Sequence, residues 1–216
     1  MDFAATLSPT HYLNSDHPEI IRLAESLRAE TPRDTAIRAF YWVRDQIRYD
    51  PYTVSLQPEG YRASVVAKAS AAFCIPKAIL LAAAGRAVGL PTRLGFADVR
   101  NHLSSDKLTA LLGTDLFAFH GYTEISIDGR WLKATPAFNR ELCDRFGVKP
   151  LEFDGTKDAL LQPFDAHGRR HMEYIRERGS FADFPFDEMV RVFRDTYPGV
   201  TLGDAGRSHD DEAFLS

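Results

Sequence analysis

The stretch SAAFCIPKAILLAAAGRAVGLPTRLGFADV, Ser70 to Val99, constrains this chain most. Its centre is an alanine- and leucine-rich run that predicts a helix ending at Gly89, just before Pro91, as helices commonly do. The longest apolar run, Ala78 to Ala84, is far too short to cross a bilayer. So apolar a helix calls for burial in a core. At its mouth stands Cys74, one of two cysteines in 216 residues, and Pro76 suits a first helical turn, where its missing N–H costs nothing. Two readings of Cys74 stand side by side. Free cysteine is among the most buried residue types, which makes it a small core residue beside Phe73 and Ile75. Alternatively it is a nucleophile, its thiolate favoured by the positive end of the helix dipole and by Lys77 on the first turn.

Helices precede this stretch and strands follow it. Ser15 and Asp16 open a helix with Pro18 in its first turn, continuing from Glu19 to Ala29 with Ile20, Leu23, Ala24 and Leu27 at helical spacing. A second begins after Thr31-Pro32 and runs to about Arg48, with Ile37, Tyr41 and Ile47 on its inner face. Tyr49 to Gly60 reads as a loop and Ser64 to Ala69 as a weak helix. Downstream, Thr92 to Val99 and Leu116 to Ile127 are strands, Asp128-Gly129 is a hairpin turn, and Arg130 to Thr135 is the returning strand. A short helix follows from Asn139 to Phe146. Beyond Gly147 the chain reads as irregular until a last helix from Phe186 to Tyr197, and a polar tail begins at about Gly203. Helices first and an antiparallel sheet after them make an α+β layout rather than an alternating βαβ one.

Composition narrows the function classes. With 44% hydrophobic and 26% charged residues a packed core is attainable, and a net charge of -4 argues against a broad nucleic-acid or anionic-membrane surface. Two cysteines exclude a disulfide framework and a four-cysteine zinc site. The opening MDFAATLSPTHYLNSDHPEI lacks a basic region followed by an apolar run, so no signal peptide is expected, and the expectation is a soluble cytoplasmic protein with reduced thiols.

Thiol chemistry needs a thiolate, a base to make it, and a group that orients the base. His120 supplies a candidate base in the strand LFAFHGYTEI. Alternation puts it on the face of Ala118, Tyr122 and Glu124, opposite Phe117, Phe119 and Ile125, and Gly121 leaves room for close approach. A satisfied, half-buried histidine is the plainer reading.

Taken in order, FCIPKAILLAAAGRAVGLPTRLGFADV, HGYTEISIDGRW and TPAF resemble the transglutaminase-like superfamily of papain-type cysteine enzymes, over roughly Phe40 to Phe138. The resemblance implies a papain-like α+β fold, with N-terminal helices and the buried Cys-bearing helix packed on an antiparallel sheet. The whole chain, 1–216, is expected to be one domain, with a core at about 33–146 and an extension at about 147–216. The resemblance also implies roles: Cys74 the nucleophile, His120 its base, and a third residue on the next strand that orients the histidine. That third place falls on Thr135, where the family usually has Asp and this chain reads WLKATPAFN. A threonine hydroxyl can accept the imidazole N–H but brings no negative charge. Asn139 and Asp98 are possible substitutes.

The implied function is acyl transfer through a Cys–His thioester, most simply hydrolysis of an amide or peptide bond, with transfer to an amine as a variant. The substrate would be a peptide, a protein or a small amide, and no cofactor is needed. The alternative is a catalytically silent module that keeps the fold and binds a peptide or protein partner. A third possibility is a zinc site built on Cys74 and His120 with Asp98 or His102. Arg100 and Asn101, with Asp98 and His102, stand at a strand exit and either line a cleft or form a solvated loop. Tyr49, Tyr52 and Tyr61 are candidates for an oxyanion site or a cleft wall, with aromatic core packing as the alternative, and Tyr122 and Tyr61 join Arg100 and Asn101 as substrate-binding candidates. His167, His171 and Glu173 have metal-like spacing only if helical, Arg169 and Arg170 could hold an acidic group, and Cys143 reads as structural. The segment Leu151 to Phe186 has no match in the family core and is the candidate for a cap over the cleft.

Overall fold

A computed structural model describes residues 3–200; the tail from Gly203 lies outside them. Helix α1 (Pro18–Leu27) starts two residues later than Ser15-Asp16 suggests. The cap is His17, whose Nδ1 accepts from the Glu19 N–H at 3.2 Å, while Asn14 and Ser64 are tied to each other in the interior. Helix α2 (Pro32–Gln46) is capped by Thr31, which accepts from the Asp34 N–H. Two short parallel strands, β1 (Arg48–Tyr49) and β2 (Ala71–Ala72), flank α3 (Ala63–Val66) and lead into α4 (Cys74–Ala87). The expected loop at Tyr49 therefore begins inside a strand pair. That pair fixes Tyr49 close to the start of α4.

Helix α4 is buried from Cys74 to Arg86. Helices α1, α2 and α3 cover one side of it and the sheet covers the other. An all-apolar helix has this requirement, because every face left in water would expose hydrocarbon. Lys77, like Arg86, is an exception in composition but not in burial. Its ammonium donates to the carbonyls of Arg44, at 2.9 Å, and Ile47, closing the end of α2. Burial lowers its pKa to about 7. The charge read as helping Cys74 is thus aimed at α2, and it reaches the thiol only as the weakest of several influences.

The main sheet contains β3 (Thr92–Asn101), α5 (Asp106–Leu112) intervenes, and β4 (Leu116–Ile127) and β5 (Arg130–Ala134) form the hairpin. Then come α6 (Arg140–Phe146), β6 (Met172–Phe181) and α7 (Phe186–Thr196). The order is β5-β4-β3-β6, antiparallel throughout. Two elements depart from expectation. Residues 102–115, for which the sequence predicts no element, hold α5, capped by Ser105 and stopped by Gly113 at φ 70°. The extension expected to be irregular holds β6, a full edge strand on which Arg176 and Glu177 look out to water while Arg178 turns in to Asp98. On the outer face of the hairpin Arg93 pairs with Glu124 and lies 4.2 Å above the Trp131 ring. The Arg, Glu and Trp of the motif are therefore a structural clasp.

Candidate active site

Cys74 occupies the first turn of α4, where the preceding Phe73 is extended and offers no side-chain cap. The backbone N–H groups at such an end have no helical partner. Those of Ile75 and of Cys74 itself point at the sulfur, joined by the N–H of Gly121 from β4. A Cβ at 121 would stand 3.1 Å from the Ile75 Cα, tighter than an ordinary contact, so glycine there lets the strand approach the helix start without displacing it. Cys74 and its neighbour across the contact, His120, line the same cavity of about 400 Å³.

Burial dominates the electrostatics. It pushes the Cys74 thiol up to about 11 against the pull of the three N–H groups, and it lowers His120 to about 4. Between those values the pair is neutral thiol and neutral imidazole.

His120 is aimed by a bulge. Phe119 has φ 60°, and the pairing slips by one residue between Val99–Phe117 and Ala97–His120. Alternation is thereby broken: Ala118, expected on the His120 face, joins the main core with Phe119. Side chains satisfy the two N–H groups of the bulge. Ala118 donates to the Tyr197 hydroxyl at 2.7 Å and Phe119 to Asp98 Oδ1 at 3.0 Å. Asp98 is gripped bidentately by Arg178 at 2.5 and 2.9 Å.

The third position is open. Thr135 is fully buried just past β5, with the Tyr174 hydroxyl its polar neighbour, and its Oγ1 makes no hydrogen bond to His120. His120 Nε2 is likewise buried without a partner among the described residues. Asn139 Oδ1 accepts from the Tyr49 N–H at 3.0 Å, and Asp98 serves Arg178 and the bulge. Among the described residues no carboxylate therefore acts on the imidazole, and desolvation lowers its pKa. Thr135→Asp is expected to raise the His120 pKa by about 1–3 units, because an ionised neighbour favours the charged ring. An NMR titration of the His120 ring reads this directly, and an unmoved midpoint would mean that position 135 does not reach the ring. Tyr174, which sequence reading missed, comes from β6; its ring meets His120 edge-on at 6.4 Å.

The remaining candidates divide. Tyr49 and Tyr52 line the main cavity. Asn101 and His171 line a second, smaller cavity of about 60 Å³ that also touches His120. Arg100 pairs with Asp115 and Glu173, and His102 with Glu173 at 3.1 Å, away from the thiol. The Tyr61 hydroxyl donates to the Ser55 carbonyl while its ring packs among Phe73, Phe184 and Phe186, and the Tyr122 hydroxyl donates to Glu177. Neither tyrosine reaches either cavity. His167 and His171 lie on no helix; His171 stacks on Phe138, Arg169 holds Asp165, and Arg170 faces Glu173. Cys143 is a buried residue of α6 with its thiol also pushed up to about 11. Among the described residues no three His, Cys, Asp or Glu side chains converge as metal ligands, and no helix is long and apolar enough to cross a membrane.

Comparison with known proteins adds the family. The model of the transglutaminase-like superfamily matches residues 21–136, more than half of the chain. A solved structure of a proposed cysteine protease from Cytophaga hutchinsonii is similar at 18% identity and a TM-score of 0.49. The match covers 83% of this chain and 55% of that one, so this chain spans about half the length of that protein. No curated protein matches the sequence.

Proposed function

Because the chain belongs to the transglutaminase-like superfamily, we propose that it is a cysteine-dependent acyl-transfer enzyme, most simply a hydrolase of amide or ester bonds. One observation carries the reading: the Cys74 sulfur and His120 open on one cavity, joined through the Gly121 N–H. In this mechanism His120 takes the thiol proton as the sulfur attacks the carbonyl carbon. Free N–H groups at the start of α4 receive the oxyanion. The imidazolium returns its proton to the leaving amine or alcohol, and a thioester on Cys74 remains. Water, deprotonated by His120, then adds to the thioester and releases the acid. The smaller cavity supports water as the acceptor. It borders His120, and its lining includes Ser104 Oγ and His171 Nδ1, buried polar atoms with no partner among the described residues. A water needs two to four such partners, and about 60 Å³ exceeds the ~10–15 Å³ that one water occupies on this measure.

The neutral thiol–imidazole pair and the missing carboxylate favour a second reading, a silent module that binds its ligand in the same cavity. Acylation separates the two. The full chain is mixed with p-nitrophenyl acetate and mapped by peptide mass spectrometry, with Cys74→Ser as the blank. An acetyl group on Cys74, with turnover to p-nitrophenol, is the expected result. A Cys74 that stays unmodified while solution thiols react would leave the binding module.

A further inference from the structure

We infer that the acyl group handled at Cys74 is uncharged and apolar, an aliphatic or aromatic group larger than acetyl. This rests on the acyl-transfer reading above and names its substrate class. The cavity of about 400 Å³ lies in the range of small-molecule sites, roughly 300–1,000 Å³. Among the described residues its lining contains no Asp, Glu, Lys, Arg, Asn, Gln, Ser or Thr. One wall is the apolar side of α5, with Leu108, Leu111 and Leu112; Phe193 of α7, Val54 and Phe73 complete it. The polar groups present are Cys74, His120 and three tyrosines, and the Tyr197 hydroxyl is already committed to the Leu116 carbonyl and the Ala118 N–H.

That lining discriminates by chemistry. A peptide segment drawn into the cavity would bring several N–H and C=O groups, each costly to bury unpaired, and a carboxylate or ammonium would cost more. An apolar acyl group brings one carbonyl, and the N–H groups at the start of α4 meet it. The rest of the group gains from burial. The acyl side is the relevant one because the thioester keeps that group on the sulfur, on which the cavity opens. The leaving group departs past His120, whose other neighbour is the small cavity with Asn101 and Ser104. Leu111 fits the same picture. It is 47% exposed, contributes to this wall, and is not a member of the buried core.

The test keeps the leaving group constant and varies the acyl group. p-Nitrophenyl acetate, hexanoate and succinate are offered to the full chain. The rate of Cys74 acylation is read by peptide mass spectrometry, each rate divided by that of free cysteine with the same ester. Each buried methylene is expected to add about fourfold, giving on the order of a hundredfold for hexanoyl over acetyl. Succinyl, with its carboxylate, falls below acetyl. Leu111→Glu, at an exposed rim position, is expected to cut the hexanoyl advantage by about tenfold or more by placing a charge on the wall. Equal rates, or a preference for succinyl, with Cys74 still acylated would overturn the apolar assignment and leave the cysteine chemistry standing. Failure of all three esters to acylate Cys74 would remove the acyl-transfer reading and this inference with it.

Discussion

His120→Ala is expected to slow acylation of Cys74 by an activated ester about 10²–10⁴-fold at neutral pH, the range of a lost general base. The pH profile carries the mechanism. The His120 pKa is lowered to about 4 by burial, so its base form is present above that pH and lost below it. The Cys74 thiol, raised to about 11, stays protonated until strongly alkaline solution. The wild-type rate therefore rises through an acid limb near 4, runs flat across neutrality, and rises again as the thiol ionises. Without the imidazole only the alkaline limb remains, so the gap between the two proteins narrows above pH about 10. A preformed thiolate–imidazolium pair would behave otherwise, because the thiolate would already be present in mild acid and alkylation would be fast there. Rates for the two proteins within a factor of about three at neutral pH would remove His120 as the base. Stopped-flow release of p-nitrophenol gives the profile, and mass mapping assigns it to Cys74 rather than Cys143.

Where the chain advertises its fold, the signals are local. The helix of Cys74 is legible because alanine and leucine fill every face, and its end because Gly89, at φ 83°, precedes Pro91. The hairpin is legible because Asp128 and Gly129 accept the positive φ that its turn requires. Strand β6 was not legible: Glu173, Arg176 and Glu177 belong to an edge facing water, Arg178 turns in to Asp98, and only pairing with β3 makes the segment extended. Helix α5 carried its signals in Ser105 and Gly113, but seven residues give little periodicity to read. The bulge had no local signal at all. Positive φ at a phenylalanine costs about 1–3 kcal/mol, and it is held by partners 21 and 79 residues away in the chain. The same distance effect hides the fate of the candidate orienters. Asn139 and Asp98 were identifiable as residue types, yet the unpaired N–H groups of Tyr49 and Phe119 claim them. The departure at Thr135 was visible in the sequence; that no described residue replaces the carboxylate emerged only from the packed structure.

Asp98→Ala is therefore expected to act on the site through the fold. It leaves Arg178 without its bidentate partner, with both side chains largely out of water, and orphans the Phe119 N–H that holds the bulge. Breaking a buried pair from one side costs about 3–5 kcal/mol, more than the pair itself contributes, because the remaining charge is left uncompensated. A urea midpoint shift corresponding to at least about 3 kcal/mol is the expected reading. Acylation measured on the protein still folded at low urea should fall as well, because Phe119 free to leave its positive φ lets His120 turn away from the sulfur. Asp98→Asn separates the two contributions. Its amide oxygen still accepts from Phe119, so the bulge persists and acylation is retained better than stability. A pair of variants equally active and within about 1 kcal/mol of wild type would show that the bulge needs no side-chain anchor. The direction of His120 would then be set by strand pairing and the Tyr197 hydroxyl alone.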